Sequence, residues 1–115
     1  MGIIIDSKAY KDGFSIPISE EDKMVRYIED IKTKNDEVNP TKWWENFDEM
    51  VDSFVFQYVS SKFTPGAISK VEKIKSRTGI DGSIINAKNL LLFAEDCIQG
   101  KVNTEYFSCN KEINV

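Results

Sequence analysis

Between Ser19 and Lys34 the apolar residues Met24, Tyr27, Ile28 and Ile31 recur at i, i+3, i+4 and i+7, one stripe along a single helix face. A stripe of that period must be buried against another element, so it constrains the fold more than any other feature of the chain. Ser19 is placed to cap this first helix, with Asp22 three residues on in capping-box fashion, and Asn35-Asp36 ends it. From Pro40 to Lys62, behind a capping Asn39, the residues Trp43, Phe47, Met50, Val51, Phe54, Tyr58 and Val59 read as the wide apolar face of the longest helix. Thr64-Pro65-Gly66 breaks the chain and opens a third helix to Thr78, with Ile68, Val71 and Ile74 inward and Gly79 as the stop. Ser83 opens a fourth, running to Gln99 and closed by Gly100; its run Leu90-Leu91-Leu92-Phe93-Ala94 is apolar almost all round, as in a central element. A short fifth helix from Asn103 or Thr104 carries Tyr106 and Phe107 back to the core. Residues 1–18 read as irregular, with a short strand at Ile3 to Ile5. The expected fold is all-α: a compact antiparallel bundle of four to five helices behind an irregular N-terminal segment, one domain over residues 1–115.

What the chain can do is narrowed by what it lacks. It has no His, which removes the commonest general base, the commonest metal ligand and the Ser-His and Cys-His nucleophile pairs. Its six Gly are scattered, so there is no phosphate-cradling loop. Cys97 and Cys109 stand twelve apart with no His to complete a zinc site, and read as two thiols in a reducing cytosol. The N-terminus has neither a secretory signal nor a myristoylation sequence, since Asp6 stands where Ser or Thr is needed, and no apolar run could span a bilayer. The expectation is a cytoplasmic protein that is not an enzyme, with no catalytic residues, no metal and no cofactor.

A net charge of −4 argues against a general binder of phosphate backbones and for a basic protein partner. The charge is segregated. Ser19 to Ser60 holds eleven acids and five bases, while Ser61 to Gly79 holds five bases and one acid. Within the second helix, Glu45, Asp48, Glu49 and Asp52 fall on one face at i, i+3, i+4 and i+7, with Lys42 the only nearby base. Such a face is either simply solvated or a docking surface for a cationic partner; a carboxylate metal site there would lack its customary His. Of the adjacent Trp43 and Trp44, which point about 100° apart on a helix, one is expected in the core and Trp44 beside the acids as an anchor.

The segment Leu90-Leu91-Leu92-Phe93-Ala94-Glu95-Asp96-Cys97-Ile98-Gln99-Gly100-Lys101-Val102-Asn103-Thr104-Glu105-Tyr106-Phe107 resembles a pattern in small bacterial immunity proteins of the colicin D type. More loosely the chain resembles the immunity proteins of contact-dependent growth inhibition. The resemblance implies a helical, cytoplasmic inhibitor that binds a cognate toxin domain, often a nuclease. On this reading Trp44, Glu45, Asp48, Glu49 and Asp52 form the partner-binding face that covers a basic toxin's active site, with no direct contact to nucleic acid and no membrane. The alternative is a nucleic-acid-mimicking inhibitor or a regulatory helical module with another basic partner; a small enzyme or metal-binding bundle and a self-pairing scaffold are further options.

Overall fold

The computed structural model describes residues 1–101 and 111–112. Their elements follow the order β1 (Gly2–Lys8), α1 (Ile18–Thr33), a 3-10 turn (Trp43–Asn46), β2 (Phe54–Ser60), α2 (Ala67–Thr78), β3 (Gly82–Asn86), α3 (Ala87–Ile98) and β4 (Lys111–Glu112). The strands make one sheet in the order β1-β2-β3-β4, with every pairing parallel. The fold is therefore mixed α/β, and the expected all-α bundle is corrected.

Two segments account for the difference. Phe54-Val55-Phe56-Gln57-Tyr58-Val59-Ser60 is strand β2, and six of its seven residues are buried. A parallel strand covered on both faces is a near-continuous apolar run, so its residues also satisfy a helical spacing. Bulky β-branched and aromatic residues, stiff at χ1 and suited to a pleated surface, decide the competition for the strand. Gly82-Ser83-Ile84-Ile85-Asn86 is strand β3, buried over its first four residues, and the fourth helix begins only after it. There the cap is Asn86, whose side chain accepts from the Asn89 N–H, and not Ser83.

Other expectations hold. The strand foreseen at Ile3–Ile5 is part of β1, the first helix lies within a residue of its expected ends, and Gly79 closes α2 at φ 77° with its N–H on Lys75. Neither Ser19 nor Thr64 caps a helix, however; the residue capping α1 is Pro17, whose carbonyl accepts from the N–H groups of Glu20 and Glu21. The fifth helix and Cys109 lie outside the described residues.

Strand alternation divides the core into two layers. Ile4, Phe56, Tyr58 and Ile84 face α1 and α2, meeting Met24, Ile28, Ile31, Val71 and Ile74. Val55, Val59 and Ile85 face the opposite way onto Phe93 of α3, with Leu90 and Cys97 beside it. The crossovers β1-α1-β2 and β2-α2-β3 thus lie on one side of the sheet and α3 on the other. This arrangement brings the carboxyl ends of three parallel strands together: Lys8 pairs in register with Ser60, and Ser60 with Asn86. Open α/β sheets bind ligands in the crevice outside that edge. Among the described residues no helix is long and apolar enough to cross a membrane.

Candidate active site

Asp6 and Lys8 stand two residues apart on β1 and share the sheet face covered by α1. Glu20 reaches them from the first turn of α1. Lys8 Nζ lies 3.4 Å from Asp6 Oδ1 and 3.3 Å from Glu20 Oε2, so two carboxylates converge on one ammonium. The three side chains are largely covered yet open to solvent, at 14% for Asp6, 20% for Lys8 and 19% for Glu20. Glu20 Oε2 is buried and faces the ammonium without the alignment of a hydrogen bond, leaving an acceptor to spare.

The electrostatics follow from that convergence. Burial works against the Lys8 ammonium, but the negative charges of Asp6 and Glu20 beside it outweigh that cost and raise the pKa above its usual value. Lys8 is a cation at neutral pH. Tyr58, the β2 neighbour of Asp6, donates its hydroxyl to the backbone carbonyl of Glu20 at 3.0 Å. Burial pushes its pKa far above the usual range, and the negative charges of Asp6 and Glu20 add to the effect, so it remains a neutral donor that pins α1 to the sheet. One residue on, buried Glu21 meets Arg77 Nη1 at 2.7 Å and Lys70 Nζ at 3.8 Å, and Arg77 also holds Asp22 at 2.7 Å. Two of the five bases of the basic segment Ser61 to Gly79, Lys70 and Arg77, therefore clamp α2 onto α1, and Lys75 pairs with Asp81.

Two carboxylates beside an open edge fit a divalent cation of the Mg²⁺ kind. Such an ion takes one or two protein carboxylates and completes its shell with water and substrate phosphate. Glu20 Oε2, buried and accepting no hydrogen bond although it faces the Lys8 ammonium, is the observation that supports this fit. No cluster of three or more His, Cys, Asp or Glu occurs among the described residues, so this pair would be the donor set from the described part of the chain.

The residues singled out from the sequence lie elsewhere. The long helix that was to align them is absent, replaced by the 3-10 turn, a loop and β2. Trp44 is buried in the core at 9% exposure, edge-on to Trp43, so Trp43 is the more exposed of the two. Glu45, Asp48 and Glu49 are exposed around a cavity of about 490 Å³ that also involves Lys34, and Asp52 borders the neighbouring one. The structure does not bring them to the Asp6–Lys8–Glu20 cluster.

The chain matches the family described as FokI, cleavage domain, over residues 1–114. It belongs to the FokI cleavage-domain family. It is 32% identical over 104 residues to the type II restriction enzyme FokI of Planomicrobium okeanokoites, covering 90% of this chain and 18% of that protein. It is 35% identical over 94 residues to the type II restriction enzyme StsI of Streptococcus sanguinis, covering 82% of this chain and 15% of that one. The chain thus spans under a fifth of the curated relatives it matches. Two solved structures of the restriction endonuclease FokI, the second of them bound to DNA, superpose with a TM-score of 0.91 at 32% identity, covering 98% of this chain and 21% and 20% of theirs.

Membership in the FokI cleavage-domain family overturns the resemblance to toxin-immunity proteins and the inhibitory function drawn from it. The relatives are enzymes, which corrects the expectation of a non-catalytic binder. A neighbour solved with DNA likewise corrects the toxin partner and the exclusion of nucleic acid. The physical reasons are plain. Absent His excludes imidazole chemistry, not chemistry run by carboxylates and lysine. A net charge of −4 is an average, and it hides a local cation held between two acids at a strand end. The segment behind the resemblance lies, up to Ile98, in α3, where Phe93 packs under the sheet; the rest of it from Val102 is outside the described residues.

Asp6, Lys8 and Glu20 went unread in the sequence as a site. The signal was present in Ile3-Ile4-Ile5-Asp6-Ser7-Lys8, an apolar strand ending in an acid and a lysine on one face. Glu20 carried no such signal, because an acid in a first helical turn also complements the helix dipole.

Proposed function

We propose that this chain is a nuclease domain that hydrolyses phosphodiester bonds of DNA, a single domain over residues 1–115 acting in the cytoplasm, with Asp6, Lys8 and Glu20 as its catalytic residues. The observation that carries the reading is the convergence of Asp6 and Glu20 on the Lys8 ammonium at the carboxyl edge of a parallel sheet, in a member of a cleavage-domain family. Asp6 and Glu20 would hold the divalent cation. When bound, that ion supplies Lewis-acid polarisation of the phosphate and a more acidic water. The residues of the chain then have separate tasks. Lys8, kept protonated, presents an ammonium to the non-bridging oxygens of the scissile phosphate, where negative charge accumulates as water attacks. It is a charge stabiliser and proton donor and not a base. Tyr58 holds the start of α1 against β2, fixing the distance between Glu20 and the strand that bears Asp6 and Lys8.

Supercoiled plasmid in Mg²⁺ tests the reading. The protein should nick or linearise it, and Asp6→Asn and Lys8→Met should each slow the rate by about 10²–10³-fold while the fold persists. Variants as active as the parent, or a parent inert towards DNA with Mg²⁺ and Mn²⁺, would overturn it.

A further inference from the structure

The loop that leaves β1 carries an aromatic ring to the same edge of the sheet. Tyr10, two residues beyond Lys8, opens a tight turn in which its carbonyl accepts from the Gly13 N–H at 3.3 Å. Its ring lies on that of Phe14, with centroids 5.1 Å apart and planes 16° from parallel. Phe14 is buried and meets Tyr58 edge-on at 5.6 Å and Phe63 at 6.2 Å. Tyr58 is the register partner of Asp6 and holds the backbone of Glu20, so this aromatic column stands beside the carboxylate–lysine cluster. The column is also clamped. The Phe14 N–H donates to the Lys62 carbonyl at 2.9 Å and the Thr64 N–H to the Phe14 carbonyl at 3.2 Å, tying the loop after β1 to the loop after β2.

Tyr10 nevertheless remains 43% exposed. Phe14 takes one face of its ring, which leaves the other as a flat surface held rigid from behind. A ring fixed in this way can stack a nucleobase, and it does so whatever the sequence, because every base has a π-face. The charges nearby suit the same ligand. Lys62 is exposed on the partner loop and makes no ion pair among the described residues; Lys11 is exposed next to Tyr10, with Asp12 the acid of that turn. We infer that Tyr10 is a stacking platform for an unpaired base of the DNA strand whose backbone passes the Asp6–Lys8–Glu20 cluster, with Lys62 on one of that strand's phosphates. The inference rests on the nuclease reading and narrows its substrate. The bases of a closed duplex are already stacked on one another, so the platform favours a strand that is open beside the cut, whether single, gapped or frayed.

The test separates stacking from charge and from folding. Binding is read as fluorescence anisotropy across a salt series, in the Asp6→Asn background so that cleavage plays no part. Three labelled probes are compared: a short thymidylate single strand, a duplex of the same length, and an abasic strand that keeps the sugars and phosphates. Tyr10→Ala should weaken binding of the thymidylate strand about tenfold and leave the salt slope unchanged. Tyr10→Leu, which keeps an apolar cover on Phe14, should lose as much, and Tyr10→Trp should recover it. Lys62→Ala should instead reduce the salt slope by about 0.7. On the abasic strand Tyr10→Ala should bind as the parent does, and the parent should hold the thymidylate strand more tightly than the duplex. A Tyr10→Ala variant that binds the thymidylate strand like the parent would overturn the inference. So would an equal loss on the abasic strand, a loss that Tyr10→Trp does not recover, or a parent that prefers the duplex. Tyr10-dependent binding in a protein that never cleaves DNA would overturn the nuclease reading and leave the platform standing. Cleavage by a protein whose Tyr10 variants all bind like the parent would do the reverse.

Discussion

Lys8 is the residue on which the site's charge balance turns. Two carboxylates within 3.4 Å hold its ammonium, and in return it separates two like charges that would otherwise repel across the gap. Its pKa is raised in the folded protein, so its contribution to stability is fully present below its unfolded value near 10.5 and is lost as pH rises through the higher folded value. Lys8→Met should accordingly have a lower urea midpoint than the parent at pH 8, and the gap should narrow as pH rises above 10.5 through the raised folded value; a gap that stays constant over that rise would contradict the pairing. The same residue explains why the site was hard to read from the sequence. Asp6 and Lys8 are ordinary in isolation, and only strand alternation places them on one face. Glu20 joins them across eleven intervening residues, a proximity made by the β1-α1 connection and carried by no local pattern.

Among the elements, β2 and β3 teach the most. Phe56 on β2 lies against Gly82 on β3, its register partner, so tightly that a Cβ there would sit 2.0 Å from the ring. Gly82→Ala should therefore cost about 1–3 kcal/mol through overpacking. Phe56→Leu should recover part of that loss in a double-mutant cycle measured by chemical denaturation, and strictly additive costs would rule out the contact. Helices α1 and α2 were legible because each has one buried side and one wet side, which leaves a clean 3.6-residue period. The central strands were not, because burial on both faces erases the alternation of period two that would have betrayed them. Reading Ser83 as the opening of a helix followed from the same loss: beside it, a Gly that admits a neighbouring ring looks in sequence like a Gly that makes a bend.

At the scale of the molecule, the core and the site are neighbours but separate structures. The apolar layers on either side of the sheet hold the fold, and the polar edge adds chemistry at their rim. A ligand that binds only the folded form should then report on the edge through global stability. Mg²⁺ at ten times its dissociation constant should stabilise the parent by about 1.4 kcal/mol, read as a higher melting temperature. Asp6→Asn should abolish the response; an equal rise in that variant would place the ion elsewhere. The edge position of β1 has its own consequence. Asp6 and Lys8 ride on the first strand of the sheet, which in the described structure leans sideways on β2 alone. Its end can peel away while the rest of the domain stays intact. Deuterium should enter the amides of Ser7 and Lys8 well before those of Phe56 to Val59. On warming, the capacity to cut should then fade while circular dichroism still records an undamaged fold, so that a working temperature ceiling belongs to one strand and not to the whole chain.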